Sequence, residues 1–155
     1  MEFDFDVRKS LLELEPDAWA PESLEEGLIP IAQRCAHKPL RRLSPAELRE
    51  LILRGLGLRY TVPLAIDVLE DAPFFEAQLY PGDLLVALLE ADTRFWLAHE
   101  DLWLAVIPLL AEAIGIIQGR VEAEERADYL PWHLGDDFMA ALIHFRGIHQ
   151  GNETS

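Results

Sequence analysis

The chain is short of cysteine, of positive charge and of every glycine pattern that cradles a nucleotide. Its 155 residues include one cysteine, Cys35. A single thiol excludes an intramolecular disulfide and a thiolate metal cluster, and it fits a reducing compartment. Cys35 lies between Arg34 and Ala36 with His37 following. Nothing around it marks an activated nucleophile, so it reads as a small apolar core residue. Lys and Arg number 13 against 28 Asp and Glu, which gives a formal net charge of −15 and a pI near 4.6. Such a field repels phosphate backbones and argues against a direct nucleic-acid ligand. It favours encounter with a basic protein, besides aiding solubility. There is no P-loop, no Gly-x-Gly-x-x-Gly and no Gly-x-Ser-x-Gly elbow. Only Ser10, Ser23 and Ser44 precede Ser155, and none is placed as a nucleophile. The N-terminus, Met1-Glu2-Phe3-Asp4-Phe5-Asp6, is acidic where a secretory signal needs positive charge. The longest apolar run, Leu102 to Gln118, is broken by Pro108 and Glu112. It is short for a bilayer and reads as a core helix, so no membrane contact is expected and the expected location is cytoplasmic.

What is present is the composition of a folded domain. Half the residues are hydrophobic and 26% are charged, which separates the chain from disordered sequences. The expectation is an all-α, single-domain bundle of about five to seven helices over residues 1–150, with 151–155 as a flexible tail. Residues 1–30 are acidic and punctuated by Pro16, Pro21 and Pro30, so turns and short helical pieces are expected there, anchored by Leu11, Leu12 and Leu14. The clearest helix start is Ser44-Pro45-Ala46-Glu47, a capping box with Pro in the first turn. Leu48, Leu51 and Ile52 then share a face, and Gly55 and Gly57 supply the stop. A second helix is expected after Thr61, ending near Glu70, Asp71 and Pro73. Tyr80-Pro81-Gly82-Asp83 signals a turn with Gly82 at positive φ. Asp83 is expected to cap the helix Leu84 to Leu89, which is apolar on nearly every side and so central. Thr93 and Asp101 are the expected caps of the next two helices, and Gly119 the terminator of the second. The last helix is expected from about Asp136 to Phe145, with Phe138, Ala141, Leu142 and Phe145 inward.

Candidate chemistry is sparse. His133, Asp136, Asp137 and His144 are the one set that a helical metalloenzyme could use, but no His-x-x-x-His or Glu-x-x-His pair supports it. No metal, cofactor or catalytic residue is therefore assigned. The most unusual charge feature is the interval Tyr60 to Thr93, which holds Asp67, Glu70, Asp71, Glu76, Asp83, Glu90 and Asp92 and no Lys or Arg. Phe74, Phe75 and Tyr80 lie within it. Rings as desolvated anchors and carboxylates for steering make a protein-binding surface. Asp67, Glu70, Asp71, Phe74, Phe75, Glu76 and Asp92 are the candidate partner-binding residues. The competing reading puts the rings in the core and the acids on a solvated face.

The stretch Lys38-Pro39-Leu40-Arg41-Arg42-Leu43-Ser44-Pro45-Ala46-Glu47-Leu48-Arg49-Glu50-Leu51-Ile52 is followed by Gly55-Leu56-Gly57-Leu58, Val62-Pro63-Leu64-Ala65 and Leu79-Tyr80-Pro81-Gly82-Asp83-Leu84-Leu85. In that order and spacing the chain resembles a family of immunity proteins from bacterial contact-dependent growth inhibition (CDI) systems. The resemblance covers roughly Leu40 to Leu89. It implies a non-enzymatic cytoplasmic protein that binds and neutralises the C-terminal toxin domain delivered by neighbouring cells. A nuclease toxin would be basic, because it must hold phosphate. The recurring residues Tyr80, Gly82 and Asp83 read as scaffold rather than contacts. An adaptor or regulatory subunit of another system shares every compositional feature and stays open as the alternative. Oligomeric state is not legible in the sequence.

Overall fold

The computed structural model describes residues 3–122 and 132–153. Among the described residues the regular structure is helical: eight α-helices and three single 3-10 turns, with no strand. The expected all-α class stands, with slightly more helices than the five to seven expected. In chain order they are α1 (Leu11–Leu14), α2 (Ile29–Cys35), α3 (Pro45–Leu53), α4 (Leu58–Asp71), α5 (Asp83–Leu89), α6 (Thr93–Ala98), α7 (Glu100–Glu122) and α8 (Trp132–Glu153).

The N-terminal segment is tied down by its backbone. Ser10 caps α1 in a capping box with Glu13. Leu12 N–H donates to the Ala36 carbonyl at 3.0 Å, Leu40 N–H to Lys9 at 2.9 Å and Arg41 N–H to Val7 at 2.9 Å. Leu11 and Trp19 are buried and press on the backbone at Gly57. There a Cβ would lie 3.0 Å from Leu11 Cδ2, and φ is +60°. Glycine is required at that position on both counts.

α3 starts as its sequence dictates. The Ser44 hydroxyl accepts from Glu47 N–H at 3.1 Å, and the Glu47 carboxylate accepts from Ser44 N–H at 2.9 Å. Leu48, Leu51 and Ile52 are buried, and Gly55 turns the chain at φ +70°. α4 begins four residues earlier than expected, because Gly57 in the left-handed region starts it at Leu58. Thr61 is inside the helix and fully buried, its hydroxyl donating to the Gly57 carbonyl at 3.1 Å. Pro63 is therefore within α4. The carbonyl it leaves without a donor belongs to Arg59, an exposed residue that water can reach. Pro108 in α7 is tolerated in the same way, since Leu104 one turn earlier is 53% exposed.

α5 is the centre of the bundle, with all seven of its residues buried. α3 packs against α4 and α5, α5 meets α8, α4 meets α7, and α6 bridges α7 and α8. Phe138, Ala141, Leu142 and Phe145 point inward from α8 as expected, and Phe145 stands edge-on to the buried Trp96.

Five further helix boundaries shift from those expected. Asp92, not Thr93, caps α6, its carboxylate accepting from Arg94 N–H at 2.9 Å. α7 opens at Glu100, so Asp101 lies in its first turn, and the helix runs through Gly119 to Glu122. α8 begins at Trp132 rather than near Asp136 and extends to Glu153. The charged stretch expected at Glu122 to Asp128 falls, beyond Glu122, outside the described residues. Among the described residues no helix is long and apolar enough to cross a membrane.

Candidate partner-binding surface

α4 closes on Asp67, Glu70 and Asp71, which share one exposed face by helical spacing, opposite the buried Val62, Ala65, Ile66 and Leu69. The chain then enters the loop 72–82. Phe75 N–H donates to the Ala72 carbonyl at 3.0 Å, and Gly82 N–H closes the neck on the Phe74 carbonyl at 3.0 Å. Glu76 and Pro81 pair as an isolated antiparallel bridge, leaving 77–80 as the tip. Gly82 has φ +90°, the left-handed geometry expected of the turn.

The loop is fastened from below by Asp83, and here the structure corrects the sequence reading. Gly82 is the N-cap of α5, and no side chain caps that helix. The Asp83 carboxylate points back into the loop instead. It accepts Ala77 N–H at 2.7 Å, Gln78 N–H at 2.9 Å and Leu79 N–H at 2.8 Å. The residue is 1% exposed. Charge-assisted bonds to three donors offset the cost of burying the anion. Arg49 of α3 completes the arrangement, with Nε 3.6 Å from Asp83 Oδ2 and Nη1 donating to Gln78 Oε1 at 3.1 Å.

The candidate residues divide. Glu70, Asp71, Phe75 and Glu76 fall together at the end of α4 and on the loop, and all are exposed. Asp67 stands one turn earlier on α4, exposed, and lines a shallow pocket with Arg41 and Val68. Phe74 is half-buried, its ring centroid 6.0 Å from that of Phe138, so it is mainly a packing residue. Asp92 is occupied locally by the α6 cap and by an exposed ion pair with Arg94 at 3.0 Å. Sequence reasoning passed over Leu79, which is 65% exposed at the loop tip. Its signal was a leucine beside the Tyr80-Pro81-Gly82 turn, where no helical stripe could bury it.

Among the described residues, Cys35, His99 and His149 are engaged in packing, while His37 and His144 are exposed. Burial, then the nearby Glu47 anion, pushes the Cys35 thiol up to about 11. A thiol so placed is protonated at neutral pH and is a poor nucleophile. His99 stacks on Phe95 with centroids 4.2 Å apart and bonds through Nδ1 to the Phe95 carbonyl at 2.9 Å. His149 Nε2 lies 2.8 Å from the Trp96 carbonyl, and His144 Nε2 lies 3.2 Å from the Thr93 hydroxyl. Among the described residues no three His, Cys, Asp or Glu side chains are grouped to hold a metal ion. The side chains of His133, Asp136 and Asp137 lie outside the described residues.

The fold and this surface define a class: a small all-helical domain with a pronounced acidic excess and a fastened, partly apolar loop. A family model of CDI immunity proteins matches residues 13–106, and the chain belongs to that family. The match covers more than half of the chain and spans α3, α4, the clamped loop, α5 and α6. Neither a curated protein nor a solved structure matches it.

Proposed function

We propose that this protein binds the C-terminal toxin domain of a CDI effector and neutralises it, protecting the cell that makes both. Family membership over residues 13–106 carries the reading. The protein acts in the cytoplasm, one molecule on one toxin domain, by occupying a surface rather than by turning over a substrate. The toxin is basic and acts on nucleic acid. Support for that part comes from the −15 net charge and from the exposed carboxylates of Asp67, Glu70, Asp71, Glu76 and Asp92. An acidic surface covers a phosphate-binding face by the same electrostatics that would hold nucleic acid there. The engagement of Cys35, His99 and His149 in packing agrees with a role that needs no reaction centre.

The test is protection in cells. The C-terminal domain of any large secreted protein found encoded just upstream is expressed inside a susceptible bacterium, with and without this protein. Growth arrest relieved only by co-expression, with 1:1 co-purification, is the expected result. Unrelieved arrest contradicts the reading. Degraded RNA or DNA in the arrested cells is the outcome expected of a nuclease, and intact nucleic acid contradicts that part alone.

A further inference from the structure

The tip of the loop 72–82 combines two properties. It is rigidly held and it exposes apolar surface. Three consecutive N–H groups of the tip are bonded to one buried carboxylate, that of Asp83, and Arg49 ties Gln78 to α3. Leu79 follows Gln78 directly and leaves 65% of its surface in solvent. Phe75, at the neck of the same loop, is 38% exposed. Leu53, 48% exposed, stands one turn beyond Arg49 on the same side of α3. A loop already fixed in one conformation loses little entropy on binding, so an apolar side chain at its tip contributes nearly its full burial to affinity.

The surroundings specify the partner. Glu70 and Asp71 end α4 just before the loop, and Glu76 is on it, all exposed. No Lys or Arg occurs from Tyr60 to Thr93. Arg49, reaching in from α3, has a side chain only 15% exposed and is directed at Asp83 and Gln78. An apolar centre with an anionic rim fits a protein that offers an apolar recess framed by Lys and Arg. The same rim repels phosphate and anionic lipid.

We infer that the Asp83-clamped loop is the docking element of this protein, with Leu79 as its anchor in an apolar recess of a basic partner surface. The inference rests on the immunity reading for the partner's identity only. Asp83 and Arg49 position the loop, and Leu79, Phe75 and Glu76 make the contact.

The probe is the C-terminal domain of any large secreted protein found encoded just upstream, the same domain used in the protection test. Its affinity is measured by calorimetry for wild type, Leu79→Ala, Leu79→Arg and Leu104→Ala, the last an exposed leucine on α7. Thermal unfolding of each variant should match wild type, because both leucines are largely in solvent. Leu79→Ala is expected to raise Kd about tenfold and Leu79→Arg about a hundredfold or more, with Leu104→Ala within about twofold of wild type. Wild-type affinity in both Leu79 variants overturns the docking loop and leaves the immunity reading in place. If wild type itself fails to bind, the partner reading falls and the inference falls with it.

Discussion

Glu47 serves two structures with one carboxylate. Oε1 closes the α3 capping box on Ser44 N–H at 2.9 Å, and Oε2 meets the Lys38 ammonium at 2.7 Å. Burial alone would push this carboxyl up, but Lys38, Ser44 and the Cys35 thiol together hold it down to about 2, against an ordinary value of 4.5. Because the folded value is the lower one, the group stabilises the fold above about pH 4.5 and loses that contribution as pH falls towards 2. Allowing for the exposed Lys38, Glu47→Gln is expected to cost on the order of 1–2 kcal/mol near pH 6 and about half that near pH 3, read from urea midpoints. An equal cost at both pH values would contradict the assignment. Cys35 gives the second expectation at this scale. Fully buried, with its thiol pushed up to about 11, it should react with a thiol-specific reagent at mildly alkaline pH only after denaturation. Rapid labelling of the folded protein would contradict its place in the core.

Elements in this fold are set by a few backbone positions, and those were unequally legible. The capping box at Ser44 and Glu47 and the positive φ at Gly82 could be read directly, because each is local chemistry. The start of α4 could not, since it depends on Gly57 yielding space to Leu11 from a distant part of the chain. Gly57→Ala should therefore cost more than Gly55→Ala. Both sites have positive φ, worth about 1 kcal/mol each, but only Gly57 adds a close contact, at 3.0 Å to Leu11. Equal losses in chemical denaturation would contradict this. Asp83 shows a different limit. An Asp before an apolar run reads as a helix cap, yet three loop N–H groups compete for the same carboxylate and win it. Asp83→Ala leaves those donors and Arg49 without their buried partner, so a loss of roughly 3 kcal/mol or more is expected. The loop 72–82 should then become the first site of limited proteolysis. Stability and cleavage pattern like wild type would show that the clamp is not what fixes the loop.

At the scale of the whole molecule, charge and family point the same way. The likeness visible from Leu40 to Leu89 is the helical scaffold around α5, and the family match extends it to residues 13–106. A contact surface is not legible in composition, because acids on a solvated face and acids at an interface look the same there. Packing divides the candidates only in part: Phe74 lies beside Phe138, Asp92 caps α6 while staying exposed, and Leu79 stands out in solvent. An acidic protein of net charge −15 that binds a basic toxin should associate faster and more tightly at low ionic strength, through rim charges such as Glu70, Asp71 and Glu76.

The most direct measurement is the affinity of the purified protein for the adjacent effector's C-terminal domain across a range of salt concentrations. The expected result is tight 1:1 binding that weakens progressively as salt rises, with most of the loss in the association rate. Absence of binding, or binding whose affinity and association rate do not change with salt, would contradict an acidic inhibitor of a basic toxin.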